Sequence, residues 1–255
     1  MLVSAPAGIV PPVGGGGGGP PSPPPSMTLY GVTRPLTEAL TEVGNLGRGE
    51  RIYAVRYIGA AAYVVTFRQV DPLYIISLTD MVATGELKIP GFSSYLHPVG
   101  PGRLLGVGQG ATQTGRTTGV KVTLFDVSDV RAPRELATWA KPDFASSSSV
   151  RWDHRAFLYW APRRLAVLPV SSYGRDAFRG AVVLRLGDAV ITEAGRVTHP
   201  PPRPSRFAST IDRTFVIGRE WLWTRSRDRF QVQSLAALRV SGSVVFGPAP
   251  GAEAA

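Results

Sequence analysis

The 255-residue chain has no cysteine, only 3 lysines against 25 arginines, and only 3 histidines. Without cysteine there is no disulfide framework, no thiol catalysis and no Cys-ligated zinc. No stretch approaches the ~18 uncharged apolar residues of a membrane-spanning helix. Helical periodicity is almost missing as well. Charged residues make up 18% and hydrophobic ones 44%, which is material for one large all-β domain or two ordinary ones with a sizeable core.

The opening segment, 1–26, contains 7 of the 29 glycines and 8 of the 23 prolines, including Gly14–Gly19. Such a stretch buries too little apolar surface to offset its ordering entropy, so an unstructured tail is expected over 1–26 and a second one over 247–255. The opening lacks the form of a signal peptide: no Lys or Arg lies near Met1, and prolines break Leu2–Val13. Met27 is an alternative starting point for the folded chain.

The formal charge is +10. Between Arg151 and Arg239 lie 16 arginines and 7 acids, a balance of +9, whereas residues 27–150 sum to +2. A basic face suits an anionic polymer or an acidic protein. Arginine-rich codon usage explains the same numbers, so a nucleic-acid partner is not favoured.

From Arg51 onward the pattern is strands. Val120, Val122 and Leu124 alternate with Lys121, Thr123 and Phe125, a period of two. Ala62–Phe67, Leu73–Leu78, Leu165–Val170 and Ala181–Leu186 are apolar on both faces, as strands buried between packed sheets must be. The strands recur as a unit. The third strands of successive units align on Leu78, Val127, Leu186 and Leu235, with equal first and last steps and a longer middle one. Four-stranded antiparallel units at this spacing predict propeller blades over 47–91, 92–143, 150–200 and 209–246. Residues 28–46 read as the remnant of a preceding blade. A strand over Thr41–Leu46 is favoured there over a short helix across Pro35–Val43. Four blades and a fraction suggest the C-terminal portion of a larger ring, with an open edge near Thr41 through which copies would self-associate.

Gly49–Gly59 (GERIYAVRYIG), Tyr63–Pro72 (YVVTFRQVDP), Gly85–Pro98 (GELKIPGFSSYLHP), Gly106–Gln109, Leu124–Asp129 (LFDVSD) and Asp153–Leu158 resemble a secreted bacterial β-propeller domain family distantly related to WD repeats. The resemblance covers about residues 40–240. It implies a C-terminal propeller of an exported or cell-surface protein, and it brings no catalytic residues with it.

Several motifs invite a chemical reading. Gly106-Val107-Gly108-Gln109-Gly110-Ala111 satisfies the glycine fingerprint of dinucleotide binding, but that motif needs a helix next. Thr112–Gly119 has no apolar period, so a hairpin loop is expected instead. Trp152-Asp153 resembles a WD dipeptide but precedes a first strand, which suggests a packing Trp and a turn Asp. Ser93 or Ser94 with His97 or His154 and Asp153 would make a hydrolase triad, yet neither serine sits in a nucleophile elbow. His97, His154 and His199 lie near blade boundaries with no short-range pair to strengthen a metal site. No metal, cofactor or catalytic residue is therefore assigned.

The expected function is a non-catalytic binding or scaffold propeller whose rim loops recognise a protein or an anionic cell-wall polymer. The loop Ser171–Gly180 is the candidate contact, with Tyr173, Arg175, Asp176, Phe178 and Arg179 mixing aromatic and charged groups. The alternative is a propeller enzyme, or an enzyme's gate, with a polar site at the axial opening built from Asp71, Glu86, His97, Asp153, His154 and His199.

Overall fold

A computed structural model describes residues 2–4, 27–30, 39–43, 46, 51–67, 71–112, 116–141, 146–173, 177–201 and 209–246. Four antiparallel sheets of four strands follow one another along the chain. Blade one contains β4 (Arg51–Ile58), β5 (Ala61–Phe67), β6 (Asp71–Ser77) and β7 (Val82–Ile89). Blade two contains β8 (Phe92–Gly100), β9 (Arg103–Ala111), β10 (Thr117–Asp126) and β11 (Arg134–Ala140). Blade three contains β12 (Leu158–Trp160), β13 (Leu165–Ser172), β14 (Phe178–Leu186) and β15 (Ile191–Val197). Blade four contains β16 (Ile211–Ile217), β17 (Trp221–Ser226), β18 (Arg229–Ser234) and β19 (Val240–Val245).

A three-stranded sheet of β1 (Leu2–Ser4), β2 (Met27–Tyr30) and β3 (Ala39–Val43) precedes them. A strand rather than a helix therefore forms here, at Ala39–Val43, overlapping the expected Thr41–Leu46 only in part. Leu2–Ser4 corrects the expected tail in part, because pairing with Thr28–Tyr30 gives this segment a sheet to join. Residues 5–26 and 247–255 lie outside the described residues.

The repeat read from the sequence has a concrete anchor. The backbone N–H groups of Leu78, Val127, Leu186 and Leu235 each donate to a carbonyl in the turn between first and second strands: Ala60 (2.8 Å), Gly102 (2.8 Å), Arg164 (2.9 Å) and Glu220 (2.7 Å). That turn needs one left-handed residue, supplied by Gly59, Gly102, Arg164 and Gly218 in turn, with φ of 52–65°. Each blade also shifts register where its third strand meets its fourth, at Ile75/Ile76, Leu124/Phe125, Val183/Leu184 and Val232/Gln233. These positions repeat the spacing of the four anchoring N–H groups. One extra residue on each outer strand increases its local twist.

Packing follows from the doubly apolar middle strands. Tyr63, Val65, Leu73 and Ile75 of blade one bury against Leu96, Leu104, Phe125 and Val127 of blade two. Leu105, Val107, Val122 and Leu124 meet Ala166, Leu168, Val182 and Leu184 of blade three. Leu165, Val167, Ala181 and Val183 meet Ile211, Leu222 and Leu235 of blade four. Val43 and Leu46 pack on Ala62, Val64 and Ile76, joining the three-stranded sheet to blade one. Each such aliphatic side chain contributes roughly 1.5–3 kcal/mol by leaving water. The fourth strands, by contrast, are mostly exposed or half-buried.

Polar residues secure the turns. The Asp126 carboxylate accepts hydrogen bonds from the Ser128 hydroxyl (2.6 Å) and backbone N–H (3.1 Å), and pairs with Arg134 (2.7 Å) and Arg103 (2.9 Å). The Ser128 and Arg134 hydrogen bonds hold its pKa well below the carboxylate range. Ser77 and Asp80 close the matching turn of blade one.

Blade four presents an aromatic face opposite the one that meets blade three. Phe215 stacks on Trp223 (6.3 Å) and meets Phe230 edge-on (6.2 Å), and Phe230 packs on Phe246 (5.3 Å). Trp221 and Val244 are 40% and 63% exposed beside them.

Candidate binding face

Alternating strand direction puts the second-to-third-strand loops and the connections between blades at the same end of the sheets. Between blades three and four this end opens into a cleft of about 860 Å³. Tyr173, Phe178 and Arg179 of the β13–β14 hairpin form one wall, and Arg229, Gln231 and Val240 of blade four form the other. The connection over 198–201 supplies the floor.

The walls are aromatic and cationic. The Arg179 guanidinium lies 5.5 Å from the Tyr173 ring centroid and donates to its hydroxyl at 3.1 Å. Arg196 covers Phe178 at 5.1 Å. Tyr173 remains 60% exposed. The Nε of Arg229 is buried with no hydrogen-bond partner among the described residues. Among the described residues, no carboxylate belongs to the lining.

The floor holds a directional hydrogen-bond chain. His199 is 1% exposed; its Nδ1 lies 2.8 Å from Ser226 Oγ and its Nε2 2.8 Å from Thr224 Oγ1. Ser226 donates to the Asp228 carboxylate at 2.8 Å, so it accepts from His199 Nδ1–H, and Nε2 then shares the single Thr224 hydroxyl proton with the Gln231 carbonyl 3.3 Å away. Gln233 then donates to Thr224 (3.3 Å), and Gln231 donates to Gln233 (3.2 Å) and to the Thr198 carbonyl (3.2 Å). Burial, with Arg229 nearby, lowers the His199 pKa to about 4, so the ring is neutral at pH 7. Burial raises the Asp228 pKa, but the Ser226 and Ser209 hydrogen bonds outweigh it and leave the carboxyl below its usual range.

Of the residues expected in the contact loop, Tyr173, Phe178 and Arg179 come together in this cleft; Arg175 and Asp176 lie outside the described residues. Arg229, Gln231 and Val240 carried no local signal, because they join the wall only when blade four docks on blade three.

Of the groups considered for an axial site, the structure brings His97 and His154 to one ring, Tyr95, and gives Asp153, Glu86 and His199 separate partners. His97 Nδ1 lies 2.9 Å from the Tyr95 hydroxyl, and burial, with Arg56, lowers its pKa to about 4. The His154 ring sits 4.5 Å from the Tyr95 ring. Asp153 pairs with Arg213 (2.6 Å), Glu86 pairs with Lys88, and His199 lies in the blade-four network. Among the described residues, no three His, Asp or Glu side chains form a metal-holding group. Ser94 donates to the Val107 carbonyl rather than to a histidine.

Two motif readings need correction. The hairpin loop expected over Thr112–Gly119 is shorter, because β10 starts at Thr117, and the glycine motif Gly106–Ala111 is the end of β9, paired with β10 throughout and with β8 as far as Gln109. Its glycines admit a neighbouring backbone: a Cβ on Gly108 would lie 1.7 Å from the Phe92 carbonyl oxygen. Trp152 is not a packing residue, being 69% exposed. Asp153 does hold a turn, accepting from the Arg155 backbone N–H at 3.2 Å.

Four consecutive four-stranded blades, packed face to face with a shared anchor, define a β-propeller. The chain belongs to the Beta propeller domain family, whose model matches residues 33–238. An uncharacterized protein of Methanocaldococcus jannaschii is 39% identical over 125 residues, covering 46% of this chain and 19% of the relative. An uncharacterized protein of Archaeoglobus fulgidus is 39% identical over 145 residues, covering 54% and 22%. The match thus spans about a fifth of these archaeal relatives. BamB from Moraxella catarrhalis shares the fold at TM-score 0.53 and 11% identity, over 86% of this chain and 58% of that one. A hypothetical selenium-binding protein from Sulfolobus tokodaii does so at TM-score 0.51 and 9% identity, over 88% and 58%.

Proposed function

We propose that this propeller is a non-catalytic binding module that recognises an acidic partner through the cleft between blades three and four. The observation that carries the reading is a concave, aromatic-walled site with two guanidinium groups and, among the described residues, no carboxylate in its lining. Guanidinium forks bind carboxylates bidentately, and exposed Tyr173 offers contact area at low entropic cost. Poly-L-glutamate serves as probe. Arg179→Glu with Arg229→Glu is expected to weaken its binding at least tenfold at low salt, with an unchanged circular-dichroism spectrum. Equal affinity of wild type and variant overturns the proposal.

We place the protein outside the cytoplasm or at the cell surface, a reading supported by the sequence resemblance. Fractionation of the native organism tests it: recovery in the cytoplasm alone rejects the placement.

Self-association follows from the aromatic face of blade four. Phe215, Trp221, Trp223 and Val244 form a surface of the kind the other blades bury against a neighbour, and a second copy would cover it. Light scattering is expected to give a mass that rises with concentration, and Trp221→Glu with Val244→Lys to give a constant monomer mass. A monodisperse wild-type monomer refutes this expectation.

A further inference from the structure

The connection from blade two to blade three runs over 141–157, whereas Pro90 and Gly91 alone separate blades one and two. Its first helical turn, Ser149–Arg151, is set by Ser148, whose hydroxyl accepts from the Val150 N–H. Val150 anchors the turn in the core between the two blades. This packing withdraws the neighbouring polar groups from water. The Ser149 hydroxyl and the Arg151 Nε are both buried, and neither has a hydrogen-bond partner among the described residues.

Arg151 is half-buried, and its Nε is withdrawn from water with no carboxylate paired to it among the described residues, which is costly to the folded chain. Its burial also pulls the Arg151 pKa below the usual range. The neighbouring cations do not share this position: Arg213 and Arg155 are both paired with Asp153. Arg151 lies over the Phe92 ring at 5.3 Å, and Tyr53 packs on that ring at 4.7 Å. Tyr53 is 39% exposed, and Trp152 stands out from the next position along the turn. Residues from blade one, the start of blade two and the connection to blade three thus meet at one positive charge that has no ion pair among the described residues.

We propose that Ser149 and Arg151 form a carboxylate-binding site, with Tyr53, Phe92 and Trp152 as its aromatic surround, which takes an acidic residue flanked by apolar residues in an extended peptide. A single uncompensated charge with aromatic flanks favours a peptide over a polyanion, which gains affinity from several unpaired cations. The site is separate from the cleft between blades three and four and does not depend on it.

The test uses the full chain, labelled with nitrogen-15. The Arg151 Nε–H resonance, assigned by its loss in Arg151→Lys, and the Trp152 indole are followed by NMR. The probes are acetyl-Phe-Glu-Phe-amide, its Gln counterpart and tripolyphosphate. The Glu peptide is expected to shift both resonances, at least tenfold more tightly than the Gln peptide and more tightly than tripolyphosphate. Arg179→Glu is expected to leave these shifts unchanged, which separates the site from the cleft. In the free protein, Arg151→Met is expected to hold or raise the melting temperature, because it removes a half-buried charge with no ion pair among the described residues. Absence of shifts at millimolar peptide, equal shifts from the Glu and Gln peptides, tighter tripolyphosphate binding, or a clear loss of stability in Arg151→Met each overturns the proposal.

Discussion

Gly108→Ala is expected to lower stability by about 3 kcal/mol or more, and Gly108→Val to leave no cooperative thermal transition. Gly108 lies mid-strand in β9, opposite Ser93 on one side and Lys121 on the other. A Cβ there would sit 1.7 Å from the Phe92 oxygen, 2.7 Å from the Phe92 carbon and 2.8 Å from the Ser93 Cα. All three contacts are backbone, so no rotamer change relieves them. The register of β8 shifts between Ser93 and Tyr95, next to this contact. Gly106 is confined similarly, by the Ser93 hydroxyl and the Phe125 ring. Gly242→Ala is the control, since its Cβ would meet only Val232 Cγ1 at an ordinary 3.6 Å. Thermal melts by circular dichroism compare the three variants. A Gly108→Ala protein as stable as Gly242→Ala would mean that the motif is not there for close strand packing.

His199→Ala is expected to cost about 3 kcal/mol at pH 7, because it leaves a cavity and strips Ser226 and Thr224 of their shared partner. The ring also sets a pH response. Its pKa is about 4 in the folded protein and about 6.5 when unfolded. The folded form therefore resists a proton that the unfolded chain accepts. No stability is lost to this group above about pH 6.5, and the loss grows as pH falls toward 4. His97, also lowered to about 4, adds in the same direction. Between pH 7 and 4.5 the wild-type melting temperature is expected to drop more steeply than that of His199→Gln. Parallel curves would show that the ring is not protected from protons. Asp126 behaves oppositely in mechanism: its depressed pKa preserves its ion pairs until much lower pH.

Much of the architecture was legible because each blade carries the same signal. The spacing of Leu78, Val127, Leu186 and Leu235 is visible in the chain because each places one N–H over the same turn carbonyl. The doubly apolar runs around Val64, Val167 and Val183 announced strands buried on both sides. The candidate site was half legible. Tyr173, Phe178 and Arg179 stood out as a loop with mixed chemistry. Their opposite wall did not, because Arg229 belongs to the next blade and becomes a neighbour of Arg179 only through blade docking. His199 read only as a histidine near a blade boundary, because its partners Thr224 and Ser226 are 25 and 27 residues away. Leu2–Ser4 is too short to show a period, so the surrounding glycine and proline dominated the reading. The burial of Ser149 and Arg151 has no sequence signature either, since it depends on how Val150 seats between two blades.

The two ends of the sheets differ in another respect. Successive blades are joined by segments of very unequal length, over 90–91, 141–157 and 198–210, whereas the turns from first to second strand stay short, over 59–60, 101–102, 161–164 and 218–220. Each third strand donates to that short turn, so the geometry of a blade is fixed from one end alone. The opposite end varies in length, yet parts of it also pack between the sheets. Loop grafting at that end would leave melting behaviour nearly constant only where it spares Val150, Ala156 and Phe157, which sit in the core, and His199, which is buried in the blade-four network.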